Sequence, residues 1–125
     1  MSAHRDAHLH LNKAREFLEA AEGNHARDLY NVAASAAVTS GINSKDAVCL
    51  ATKGVTGKSD SHTGAVGELR QSGPTGVAMA STFNRLLGVK VRAQYQTRAI
   101  TAKGSRGAVT WAARMYEAAQ RVVPE

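Results

Sequence analysis

Three observations predict an all-α protein, a compact up-and-down bundle of four to five helices with a long central second helix. Apolar residues recur at intervals of three and four in almost every segment, and no stretch alternates long enough to make a convincing strand. Clusters of Gly, Asn, Ser and Pro punctuate those segments. The 125 residues make one domain, 1–125, with ends at about 1–4 and 124–125 expected to fray. A chain of this length buries a core without disulfides or metals.

The first helix is expected over residues 4 to 22, where Ala7, Leu11, Ala14, Leu18 and Ala21 form one stripe that Phe17 broadens and Gly23-Asn24 ends. The second is expected from His25 to Lys53, closing at Gly54. Its middle, Ala33 to Val38, has small residues on every side, and no charge falls between Asp28 and Lys45. A helix with no solvated face is surrounded, and small side chains let its neighbours approach closely. Gly41 and Asn43 lower its propensity and could break it in two. A short third helix, His62 to Gln71, turns Ala65, Val66 and Leu69 inward and stops at Ser72-Gly73-Pro74. The fourth runs from Gly76 to Gln96. Thr101 then caps a fifth helix that carries Val109, Ala112, Met115, Tyr116, Ala119 and Val122 on one face and ends near Pro124; Gly104 and Gly107 weaken its first turns. No internal repeat or low-complexity tract is present.

The stretch GVTGKSDSH, residues 54 to 62, carries the Gly-Lys-Ser of a phosphate-binding loop, but the spacing excludes one. Such a loop needs glycine five positions before its Gly-Lys pair, where this chain has Thr52, and it follows a strand where this chain has a helix. The stretch is therefore expected to be a polar connection between helices. The single Cys49 excludes an internal disulfide and fits a buried apolar role in a reducing compartment. No secretory leader is evident, and the uncharged run Leu29 to Ser44 is too short and polar to span a bilayer, so a cytoplasmic protein without membrane contact is expected.

The net charge of +6 is unevenly placed. Residues 1–68 hold seven Lys/Arg against eight Asp/Glu, whereas residues 69–125 hold nine against two. Between Glu68 and Glu117 there is no acidic residue, while Arg70, Arg85, Lys90, Arg92, Arg98, Lys103, Arg106 and Arg114 all fall there. Such a field attracts phosphate backbones or an acidic protein surface, or serves as a solvated face for solubility.

On the fourth helix, 100° per residue brings Phe83, Leu87, Lys90 and Gln94 onto one stripe. Lys90 and Gln94 on an apolar face must be paired, or face a cleft or subunit boundary, because burial unpaired is costly. With the adjacent Tyr95 they are the candidate binding cleft; Arg85 and Arg92 share the opposite, wet face. His62 is a further candidate, or a cap of the third helix. His4 and His8 lie one turn apart with His10 following, but no carboxylate or Cys stands at matching spacing, so no metal site and no cofactor is expected. Tyr30, Trp111 and Tyr116 fit core positions better than base-stacking platforms. There is no paired-carboxylate or Ser-His-Asp set.

The segments AASAAVTSGINSKDAVCLATKG, SHTGAVGELR and FNRLLGVKVRAQYQ, within residues 8 to 123, together resemble the HEPN superfamily, and more narrowly its small stand-alone actinobacterial members. The likeness rests on helix layout and diffuse patterns. It implies a bundle that dimerises, in a toxin-antitoxin or defence setting. It also implies, for active members, metal-independent RNase chemistry, in which an Arg four to six residues before a His meets its partner copy and assists attack by the ribose 2′-hydroxyl. Where similar members read Lys-x-x-Ala-His-Tyr, this chain has Lys90-Val91-Arg92-Ala93-Gln94-Tyr95. Glutamine cannot move a proton as histidine does. The expectation is a non-catalytic binding component for RNA or an acidic cognate protein, with no cofactor, whose cleft is lined by Lys90, Gln94 and Tyr95 and whose field comes from Arg85, Arg92, Arg98, Lys103 and Arg106. Alternatives are an endoribonuclease that uses Lys90, Arg92 and Tyr95, or His62, and a purely structural dimerisation module.

Overall fold

The computed structural model describes residues 2–57, 61–95 and 98–125, with Gln94 and Tyr95 described by their backbone alone. The helices are α1 (Ser2–Ala26), α2 (Tyr30–Lys53), α3 (His62–Arg70), α4 (Gly73–Tyr95) and α5 (Ala102–Val122). No strand occurs among the described residues, so the chain is the all-α bundle that its periodicity predicts.

The helix boundaries differ from the expected ones for local reasons. Residues 2–4, expected to fray, form the first turn of α1, and Gly23-Asn24 does not stop it. The stop comes later, where Leu29 N–H donates to the Asn24 carbonyl at 2.9 Å and Asp28 N–H to the His25 carbonyl at 3.0 Å. Asp28 takes the left-handed conformation this closure requires, with φ 64°. Glycine usually fills that position, and aspartate is among the few other residues that tolerate it. Asn24 instead donates its side-chain amide to the Ala20 carbonyl at 2.8 Å, within the helix.

Helix α2 therefore begins at Tyr30 rather than His25, and it ends as expected at Gly54, whose φ is 78° and whose N–H donates to Leu50. Gly41 and Asn43 do not break it. A methyl group on Gly41 would stand 2.3 Å from Leu86 Cδ2, so the glycine is where α4 crosses close to the α2 backbone. Ser40 reinforces the opposite contact by donating its hydroxyl to the Ala14 carbonyl of α1 at 2.7 Å. As its small residues predict, α2 packs against all four other helices.

Helix α3 ends at Arg70, and Ser72-Gly73-Pro74 both ends it and starts α4, three residues before the expected Gly76. Proline suits a first turn because its missing N–H would have no intrahelical partner there. Gly76 is fixed by packing, since a methyl there would lie 2.1 Å from the Leu69 carbonyl oxygen. Thr101 caps α5 as expected, its Oγ1 accepting from Gly104 N–H at 3.0 Å. The last expected residue of the fourth helix, Gln96, lies outside the described residues.

Phe83, Leu86, Leu69, Met115, Val48 and Val89 are the largest fully buried apolar side chains of the core, and Trp111 and Tyr116 pack partly buried against it. Cys49 is buried, with the Ser72 hydroxyl 3.2 Å from its sulfur. Tyr30 departs from its expected core position. Its ring tilts against His25 at 5.5 Å between centroids, and its phenol donates to Asp28 Oδ1 at 2.9 Å on the surface.

Two predictions follow from these contacts. Gly41→Ala should destabilise the fold by about 1–3 kcal/mol despite the better helix propensity of alanine, because the methyl overpacks against Leu86. Urea unfolding of Gly41→Ala in a Leu86→Ala background should recover part of that loss; additive losses would exclude the contact. The Asp28 carboxylate, through its hydrogen bond first, holds the Tyr30 phenol above its ordinary 10.0. Its stabilising effect is complete below the unfolded value and is lost as pH rises through the raised one. An absorbance titration should show a tyrosine that titrates earlier in Asp28→Gly, a change that suits the left-handed turn and removes the carboxylate.

Candidate functional site

The last turns of α4 separate two grooves that share Val89. The first, of about 210 Å³, lies against α2 and is lined by Ala34, Ser35, Val38, Thr39, Ile42, Val89, Lys90 and Ala93. Leu87 and Phe83, one and two turns back along the Lys90 stripe, are buried, whereas Lys90 is exposed at the edge of this groove. The lysine thus meets the requirement that a cation on an apolar stripe face a cleft, and no desolvation cost arises. The side chains of Gln94 and Tyr95, expected beside it, lie outside the described residues.

The second groove, of about 170 Å³, lies between the end of α4 and the start of α5 and is lined by Val89, Arg92, Arg98, Ala99, Ile100, Thr101 and Gly104. Arginines from two different segments therefore line one groove beside the first turn of α5, where the backbone amides carry the positive end of the helix dipole. The connection that brings Arg98 there is held by Ile100 N–H donating to Asn31 Oδ1 at 2.9 Å. Arg85, Lys103 and Arg106 are exposed as expected.

All eight cations between Glu68 and Glu117 are exposed, and none has a carboxylate within 4.0 Å among the described residues. His62 is held elsewhere. Ser61, not His62, caps α3 by accepting from Gly64 N–H, and His62 Nε2 donates to Asn84 Oδ1 of α4 at 2.7 Å. Neither groove beside Lys90 and Arg92 includes it. His4 and His8 meet edge to face at 4.8 Å. His10 turns to α2, its Nδ1 donating to Asn43 Oδ1 at 2.8 Å.

The sequence reading missed a polar network at the far end of α2. Lys45 is 3% exposed, and its Nζ lies 3.1 Å from both Asp46 Oδ1 and Thr56 Oγ1 and 3.4 Å from Glu68 Oε1. Thr56 donates to Asp46 Oδ1 at 2.6 Å, Gly57 N–H donates to Glu68 Oε2, and His10 stands 3.9 Å from Asp46 Oδ2. A methyl on Gly57 would lie 2.2 Å from Glu68 Oε2, so any side chain there would displace the Glu68 carboxylate from this position. The network ties α1, the chain after α2, and α3 to α2. The available signal was the adjacent Lys45-Asp46 pair at the end of a long uncharged run in a surrounded helix.

No family model and no curated protein matches the chain. No helix among the described residues is long and apolar enough to cross a membrane. Fold and surface together define a helical bundle whose exposed cations on α4 and α5 have no carboxylate partner among the described residues.

Lys45→Met should cost about 2–4 kcal/mol in urea unfolding, because it leaves two carboxylates facing each other; Glu68 and Asp46 retain some solvent, which keeps the loss below that of a fully buried pair. Native-state hydrogen exchange at Gly57 should accelerate with it. A change below 0.5 kcal/mol, roughly the surface level, would assign the network to solvated charge.

Proposed function

We propose that this chain is a non-catalytic, HEPN-like module that binds RNA on the cationic face formed by the end of α4 and the start of α5. The observation that carries this reading is the convergence of Arg92 and Arg98 on one groove beside the α5 N-terminus, within a face whose cations have no carboxylate partner among the described residues. Phosphate is attracted both by guanidinium groups, through paired N–H donors, and by a helix N-terminus. Lys90, exposed on the other side of α4, extends the positive track, and Arg85, Lys103 and Arg106 supply the surrounding field.

The absence of catalysis in this reading rests on residue chemistry. Gln94 occupies the position where similar members have the proton-transferring histidine, and His62 is engaged with Asn84. The toxin-antitoxin or defence setting, the homodimer and a cytoplasmic location are part of the proposal and rest on the sequence reading. An acidic cognate protein is the competing partner for the same face.

Fluorescence anisotropy with a labelled single-stranded RNA should show binding that weakens with salt, at a slope near −0.7 per phosphate contacted. Arg92→Ala and Arg98→Ala should each flatten that slope by about one contact, while Arg15→Ala, on α1, should not. The RNA should be recovered intact. Absence of binding at low salt would overturn the RNA assignment, and cleavage that survives repurification would overturn the non-catalytic one.

A further inference from the structure

A third groove, of about 370 Å³, lies at the opposite end of α4 from the cationic pair just described. Residues 74–82 of α4 and 114–121 of α5 line it, and because the end of α4 meets the start of α5 at the other groove, the two helices run antiparallel. Its floor is apolar, formed by the buried side chains of Met79 and Met115 with Ala118. Arg114 and Arg121 stand on the α5 wall, both exposed, and neither has a carboxylate within 4.0 Å among the described residues.

The two arginines are seven residues apart, which places them on one face of α5 at a separation of about 10.5 Å. A ligand that satisfies both must therefore carry two anionic groups two helical turns apart, with apolar bulk between them for the methionine floor. An α-helix with acidic residues at i and i+7 and apolar residues at i+3 and i+4 has that layout. Methionine is well suited to the floor, because its unbranched thioether reshapes around the side chain that it receives. Single-stranded nucleic acid fits less well, since the lining has no aromatic ring on which a base could stack. A second copy of this chain is also a poor occupant, because no two of its acidic residues are seven apart.

We propose that this groove docks an acidic amphipathic helix of another protein, with Arg114 and Arg121 reading its two carboxylates and the methionine floor taking its apolar residues. This site is separate from the RNA face and does not depend on that reading.

The test uses the full chain labelled with ¹³C at its methionine methyls. The chain has three methionines, of which Met79 and Met115 report on the groove. The probe is a helical peptide with Glu at two positions seven apart and Leu three and four residues after the first. Titration should shift Met79 and Met115 to saturation. A peptide with Lys in place of Glu should bind at least about tenfold more weakly, as opposite and like charges at a rim require. In a protein carrying Arg114→Glu and Arg121→Glu, checked for unchanged circular dichroism, the preference should invert toward the Lys peptide. If reversal disturbed the fold, Arg114→Gln with Arg121→Gln should still abolish the discrimination between the peptides. Unshifted methionines with the Glu peptide, discrimination that survives loss of both charges, or shifts produced by single-stranded RNA and not by the peptide would each overturn the proposal.

Discussion

The bundle depends on how closely other helices can approach the backbone of α2. Leu86 of α4 occupies the space where Gly41 has no side chain, and alanines at 33, 34, 36 and 37 leave the first half of α2 equally slender. Larger residues would push the surrounding helices outward and open gaps too small for water, which forfeit dispersion contacts. This is also why α2 tolerates the low helix propensity of Gly41: the close contact exists only in the folded state, and tertiary packing outweighs local preference.

With the core assigned to small and medium apolar residues, charge is partitioned by position. At the end of α2, Lys45 is buried and satisfied by Asp46, Thr56 and Glu68, so its cation contributes little to the outer field. On α4 and α5 the opposite holds: the cations are exposed and lack carboxylate neighbours among the described residues. The first arrangement fixes the chain after α2 against α3. The second leaves guanidinium groups with donors free for a partner, which is the form in which positive charge supports recognition rather than stability.

Helix α4 organises that outer face. One side of its last turns presents Lys90 to a groove against α2, the other presents Arg92 to a groove against α5, and its first turns form a wall of the methionine-floored groove. Because α5 returns antiparallel, Arg98 falls beside Arg92 at one end, and Arg114 and Arg121 fall beside Met79 at the other. Two cationic sites of different character, one with a helix N-terminus and one with an apolar floor, thus share the same pair of helices.

The sequence by itself determined the helical class, the central position of α2, the cap at Thr101, the closure at Gly54 and the cationic second half. Each of these follows from periodicity, side-chain size, capping chemistry or composition, which are properties of neighbouring residues. Tertiary structure alone decided the rest. Gly41 looked like a break until Leu86 was placed against it, and Gly23 looked like a stop although Asp28 makes the turn. Tyr30 looked like core, yet its phenol bonds Asp28 at the surface. The meeting of Lys45 with Glu68, of Arg92 with Arg98, and of Met79 with Met115 joins segments that share no local pattern, because which faces oppose one another is set by the packing of whole helices.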